Sequence, residues 1–167
     1  TVSPGGPRSV RGSAKDDSSA DVIEVVRADQ TADPTVDAIL GFLEGLGWRG
    51  VVVNDAPAGV ADRLELAVEV EAMRAVEADV ATPAAIDTIV REGFGHAAGP
   101  LASADRVGLD VRLATLESLA AELGSRFEPP AVLERKVEAG QLGVKTGVGF
   151  REWDDQQPVD GNDTDEI

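Results

Sequence analysis

Cysteine is absent from this chain of 167 residues. That removes disulfides, thiolate metal sites and a cysteine nucleophile together. Histidine occurs once, at His96, and lysine only at Lys15, Lys136 and Lys145. No apolar run approaches the ~18 residues of a membrane span, and no apolar segment opens the chain as a signal peptide would. A soluble, cytoplasmic protein is the expectation. The chain opens on Thr1 in place of a methionine, which suggests a fragment, a processed chain or a misplaced start.

Against these scarcities stand 31 acidic residues and 15 basic ones, a net charge of −16. Such a surface repels phosphate, so nucleic acid is a poor partner. The basic residues are mostly arginine, and the acids run through the helical stretches as well as the tail. An acidic, lysine-poor surface suits a cytoplasm of high salt, where screening removes self-repulsion; a halophilic source is expected, with an ordinary acidic domain as the alternative. Hydrophobic residues make up 43% of the chain, enough for a packed core.

Residues 1–20 are rich in Ser, Gly and Pro and aperiodic, and read as a disordered leader. Residues 154–167 are polar and acidic and read as a disordered tail. Between them, Val22–Val26 is a β-branched run typical of a strand. Asp33 and Pro34 mark a helix start, followed by Val36, Ile39, Leu40, Leu43 and Leu46 at helical spacing and by Gly47 as a stop. Val51–Val53 is a second strand. Residues 21–56 thus form a strand–helix–strand crossover, whose sheet edges invite pairing.

From Ala58 the pattern is helical. Val60, Leu64, Ala67, Val68, Ala72, Met73 and Val76 mark a long helix, with Glu65, Glu69, Glu71 and Glu77 mostly on its wet side. Thr82-Pro83 opens a second helix along Ile86, Ile89 and Val90, ended by Gly93. After the Gly-rich link 93–100, Leu109, Leu113, Leu116, Leu119 and Leu123 form a third stripe up to Gly124. Pro129-Pro130 opens a last helix through Val132, Leu133 and Val137 to Gly140. About four helices result, and the fold class is mainly α with a small βαβ piece in front.

Three local patterns invite chemistry. GLGWRG (45–50) matches G-x-G-x-x-G, but a dinucleotide loop needs a strand before it and a helix after it, and here the order is reversed. His96 lies in a Gly-rich link with no acid at motif spacing, so a structural or exposed role is favoured over a triad or a metal site. Glu24, inside a valine-rich strand, is either on an exposed face or buried with a partner; the pattern alone favours exposure.

The stretches VIEVVRADQT (22–31), VVVNDAPAGVADRL (51–64), ATPAAIDTIVREGFGHAAGPLASADRVGLDV (81–111) and VEAGQLGVKTGVGF (137–150) resemble, in order and spacing, the second half of the 3-hydroxyacyl-CoA dehydrogenases, 3-hydroxybutyryl-CoA enzymes among them. The resemblance covers residues 22–153. It implies the end of a Rossmann-type NAD domain at 21–56 and a helical domain at 57–153 that forms the dimer interface and one wall of the substrate cleft. The implied chemistry is NAD-dependent oxidation of a 3-hydroxyacyl-CoA to the 3-oxoacyl-CoA in fatty acid β-oxidation, run by a His–Glu pair. Glu24 falls on the catalytic Glu. The His should stand about twelve residues earlier in an H-F-F-N-P-like segment, yet residues 9–20 contain none. Asp62 replaces the Asn that helps hold the substrate carbonyl, and a carboxylate there repels a developing oxyanion. Ala58-Gly59 replaces the usual Gly-Phe, and Leu101-Ala102-Ser103 departs from the usual pattern.

The resemblance therefore implies the C-terminal portion of an N-terminally truncated enzyme, inactive alone and without a cofactor or metal site of its own. The alternatives are half of a split enzyme completed by a separate NAD-binding chain, a non-catalytic acyl-CoA-binding or dimerisation module, and another β-hydroxyacid or sugar-acid dehydrogenase, against which GHAAGP and KTGVGF argue. A homodimer through the helical domain is expected. The charge reading has its own test: unfolding free energy rises steeply between about 0.1 M and about 2 M KCl, and equal stability across that range contradicts a halophilic surface.

Overall fold

A computed structural model describes residues 8–10 and 22–159. Two compact units emerge, Thr1–Leu64 and Glu65–Ile167. Among the described residues no helix is long and apolar enough to cross a membrane.

The first unit is a three-stranded sheet with one helix. Strands β1 (Arg8–Val10), β2 (Val22–Arg27) and β3 (Arg49–Asn54) lie in that order. β2 runs antiparallel to β1 and parallel to β3, and α1 (Asp33–Gly45) makes the crossover. Within β2, Ile23, Glu24 and Val25 are all buried, as expected of a strand covered on both faces. Ile23 and Val25 pack with Leu40 and Leu43 of α1. Gly50 is where α1 crosses the sheet, since a Cβ there would collide with the Leu40 side chain. The helix starts with Ala32 at the cap, Asp33 standing inside the first turn. Gly47, at φ 77°, turns the chain back into β3.

The second unit is helical. It takes in most of α2 (Ala61–Glu77), then α3 (Pro83–Thr88), a π-turn at Ile89–Gly93, α4 (Pro100–Val107), α5 (Leu109–Leu123) and α6 (Ala131–Glu138). Thr82 caps α3, its hydroxyl accepting from the Ala85 amide at 3.2 Å. Two short strands, β4 (Trp153–Asp154) and β5 (Gln157–Pro158), close the described chain as a hairpin.

Several expectations shift. The leader read as disordered contains strand β1, because a half-paired β2 takes up a neighbour on its open side; its other residues lie outside the described ones. The tail assigned to 154–167 is folded into the hairpin as far as Val159, with Asp155 and Gln156 at positive φ in its turn; the rest lies outside. The helix expected from Ala58 starts at Ala61, because Ala58 and Gly59 take φ of 61° and 60°. Helix α4 follows the Gly-rich link 93–100 in residues for which the sequence pattern gives no element, its run of Ala, Ser and Asp offering no apolar stripe.

The buried stripe of α2 is also displaced. Leu66, Glu69, Val70, Ala72 and Met73 are buried, whereas Leu64 is 63% exposed and Val60 48%. Leu133, fully buried on α6, sets the scale: Leu133→Ala costs about 2–5 kcal/mol in a denaturant melt, while Leu64→Ala costs under about 0.5 kcal/mol.

Candidate functional site

The site is built from the β3–α2 turn upward. Asn54 ends β3, and four residues later Ala58 and Gly59 both adopt left-handed backbone. This turn swings the first amides of α2 toward β2. Alternation along β2 sends Glu24 to the face opposite Ile23 and Val25. There its carboxylate meets the helix start: the Ala61 amide donates to Oε1 at 2.7 Å and the Val60 amide to Oε2 at 3.3 Å. Gly59 is a glycine for a steric reason as well, because a Cβ there would lie 2.7 Å from Glu24 Oε2. Arg63 donates to the Pro57 carbonyl at 2.9 Å and closes the turn.

Glu24 is thus buried and bound, in place of the exposed setting that the strand pattern favours. It satisfies amides that a helix start leaves without partners, and it brings negative charge to the positive end of the α2 dipole. Asp62, half-buried, adds a second carboxylate in the first turn of the same helix. The structure brings these two sequence-selected acids to one helix terminus. His96 lies exposed in the second unit, after the π-turn, its amide donating to the Val90 carbonyl at 3.3 Å. Among the described residues no cluster of His, Cys, Asp or Glu could hold a metal ion. GLGWRG joins the end of α1 to the start of β3. Its amides therefore do not precede a helix, and the segment does not fit a dinucleotide pyrophosphate.

The second unit holds three buried acids that sequence reasoning missed. On α4, Asp105 accepts from the Phe150 and Arg151 amides and from Trp153 Nε1, each at 2.9 Å. On α3, Asp87 accepts from the Leu101 and Ala102 amides at 2.8 and 3.0 Å, capping α4 from outside, and Arg151 stands 3.6 Å away. Lys136 holds the Gly149 carbonyl at 2.7 Å. The segment 143–153, with its G-x-K-T-G-x-G-F pattern, is therefore fastened to α3, α4 and α6 by charged groups. Burial raises the carboxyl pKa of both aspartates against the pull of these bonds, and burial lowers that of Lys136. A signal was available in the glycines: a Cβ at Gly99 would strike Asp87, and one at Gly149 would strike Asp105.

On α2, the helical pattern puts Glu69 on the wet side, yet only 1% of its side chain is exposed and Arg112 of α5 donates to its Oε1 at 2.7 Å. An acid at an amphipathic position is indistinguishable by pattern from a solvated one; only the arginine on α5 decides.

The model of the 3-hydroxyacyl-CoA dehydrogenase C-terminal domain matches residues 60–153, from the Glu24-capped start of α2 to the tryptophan held by Asp105. The chain belongs to the 3-hydroxyacyl-CoA dehydrogenase family. It is 38% identical over 136 residues to a probable 3-hydroxybutyryl-CoA dehydrogenase of Bacillus subtilis, covering 81% of this chain and 47% of that protein. A Deinococcus radiodurans protein of the same description is 40% identical over 130 residues, covering 77% of this chain and 47% of that protein. The crystal structure of (S)-3-hydroxybutyryl-CoA dehydrogenase from Ralstonia eutropha matches with a TM-score of 0.73 at 33% identity, over 82% of this chain and 49% of that one. The chain spans about half the length of these family members.

The buried pair on α2 and α5 gives a pH test. Burial pushes the Glu69 carboxyl up to about 7 despite Arg112, and its Oε2 has no partner among the described residues. The folded state then holds a proton that the unfolded state, with a pKa near 4.5, releases. The stability from this group is complete below about pH 4.5 and is lost as pH rises through 7. Denaturant melts at constant KCl show a fall of roughly 1–3 kcal/mol across that window, and Glu69→Gln flattens most of it. An unchanged slope in the variant shows that Glu69 is ionised throughout.

Proposed function

We propose that this chain supplies the helical, C-terminal half of an NAD-dependent 3-hydroxyacyl-CoA dehydrogenase and carries out no hydride transfer by itself. The observation that carries this reading is the state of Glu24. The acid expected to orient a catalytic histidine accepts the Val60 and Ala61 amides, one at each oxygen, while residues 9–20, where the histidine belongs, contain none. The nearest match to a nucleotide loop runs from helix to strand. Glu24 therefore serves here as a cap of α2, and Asp62 faces any acyl oxyanion with the wrong charge. No step through NAD is derived for these residues.

What the family match supports is a role as scaffold: one wall of an acyl-CoA cleft and a homodimer contact made by the helical unit. In cytoplasm of high salt, the acidic surface fits the same reading. The second reading, half of a split enzyme, is favoured by the turn at 57–63. Arg63, Pro57 and the capped helix start remain ordered around Glu24, the arrangement that a separate chain carrying the NAD loop and the histidine would need to meet.

Purified chain with NAD and 3-hydroxybutyryl-CoA is expected to form no NADH above background, and calorimetry with acetoacetyl-CoA is expected to show binding. Enzyme-like turnover by the chain alone overturns the proposal. Absence of heat at about millimolar ligand removes the cleft-wall role and leaves the scaffold.

A further inference from the structure

β3 is the last strand of its sheet, and among the described residues no strand pairs with its outer edge. The direction of its free groups follows from one bond. The Asp55 amide donates to the Arg27 carbonyl on β2 at 3.1 Å, so the ladder runs on past Asn54 with residue 55 turned toward β2. Peptide groups alternate along a strand. Arg49, Val51 and Val53 share the direction of Asp55, and the N–H and C=O groups of Gly50, Val52 and Asn54 point away from β2, into the open.

We propose that this edge pairs antiparallel with the same edge of a second copy, on a two-fold axis through Val52. In that register Val52 of each copy exchanges two hydrogen bonds with its twin. Gly50 exchanges two with Asn54 of the partner subunit, and the reciprocal pair does the same. These are the residues whose backbone groups are free, and the register uses all of them. The intervening positions form the closer, non-hydrogen-bonded pairs: Val51 beside Val53 of the partner subunit, and Arg49 beside Asp55 of the partner subunit, twice by symmetry.

The charge match selects this register. Arg49 and Asp55 are both exposed, stand equidistant from Val52 in the chain, and lie on the same face of the strand. A shift of one residue puts Arg49 opposite a neutral partner and turns the free backbone groups out of phase. Apolar area supports the contact. Val51 and Val52 are 40% and 41% exposed, and on α1, which packs chiefly on β3, Ile39, Phe42 and Leu46 are exposed at a spacing of three and four residues. A two-fold normal to the sheet sets both α1 helices on the same side of the joined six-stranded sheet. The edge thereby gains the protection that an exposed strand otherwise lacks.

The interface is independent of any dimer built from the helical unit and of the reading as a dehydrogenase half. Because the chain has no cysteine, Val52→Cys introduces a single thiol. At a hydrogen-bonded antiparallel pair the Cα atoms lie about 5.5 Å apart, within disulfide range. Mild oxidation of the dilute chain, at the lowest KCl that keeps the helical circular dichroism signal intact, is expected to convert most of the Val52→Cys chain to a covalent dimer. Adding Arg49→Asp is expected to weaken dimerisation about tenfold, from two lost attractions and two new repulsions. Adding Asp55→Arg to that variant is expected to restore the yield. A thiol that stays free, a yield indifferent to Arg49→Asp, or a double reversal that does not recover each overturns the proposal.

Discussion

Buried backbone amides have to be paired, and in this chain carboxylates pair the ones that matter most. Glu24 takes the first amides of α2, Asp87 takes those of α4, and Asp105 takes two amides and an indole N–H of the closing segment. Each acid reaches across the chain, from 14 residues away at Asp87 to 48 at Asp105. An unpaired buried amide costs about 1–3 kcal/mol, so these acids specify where each loop settles. The glycines at 59, 99 and 149 exist to let them approach.

The same arrangement ties the sheet to the start of α2. A carboxylate that caps a helix pairs its first amides and complements its dipole. Glu24 holds the start of α2 to the sheet. The acidic surface, by contrast, contributes little to specificity of fold. Its ion pairs, such as Arg91–Glu92 and Arg135–Glu77, are exposed and worth little individually. Stability rests on the apolar layer of Met73, Leu101, Leu109, Leu116 and Leu133 and on the few acids inside it.

Much of the architecture was legible in the residues. The crossover 22–53 announces itself through valine runs, a proline at the helix start and Gly47 at its end; Thr82-Pro83 and Gly140 mark helix limits in the same way. Helix α4 was not legible, because its buried positions are filled by Leu101, Ala102, Ala104 and Asp105, a set with almost no hydropathy contrast. The displaced stripe of α2 has a similar cause: Leu64 and Leu66 differ by two positions, and only the neighbours show which of them faces in.

At the candidate site, the family motifs picked out Glu24 and Asp62 but could not say what Glu24 touches. A carboxylate in a strand reads alike whether it meets water, a histidine or a helix end, because hydropathy carries no direction. Sequence alone determined the elements with strong period and punctuation, the reversed order around GLGWRG, the absence of a histidine ahead of Glu24, and the net charge. Tertiary structure alone decided which acids are buried and which amides they hold, because those partners are 14 to 48 residues apart and no local pattern encodes their meeting.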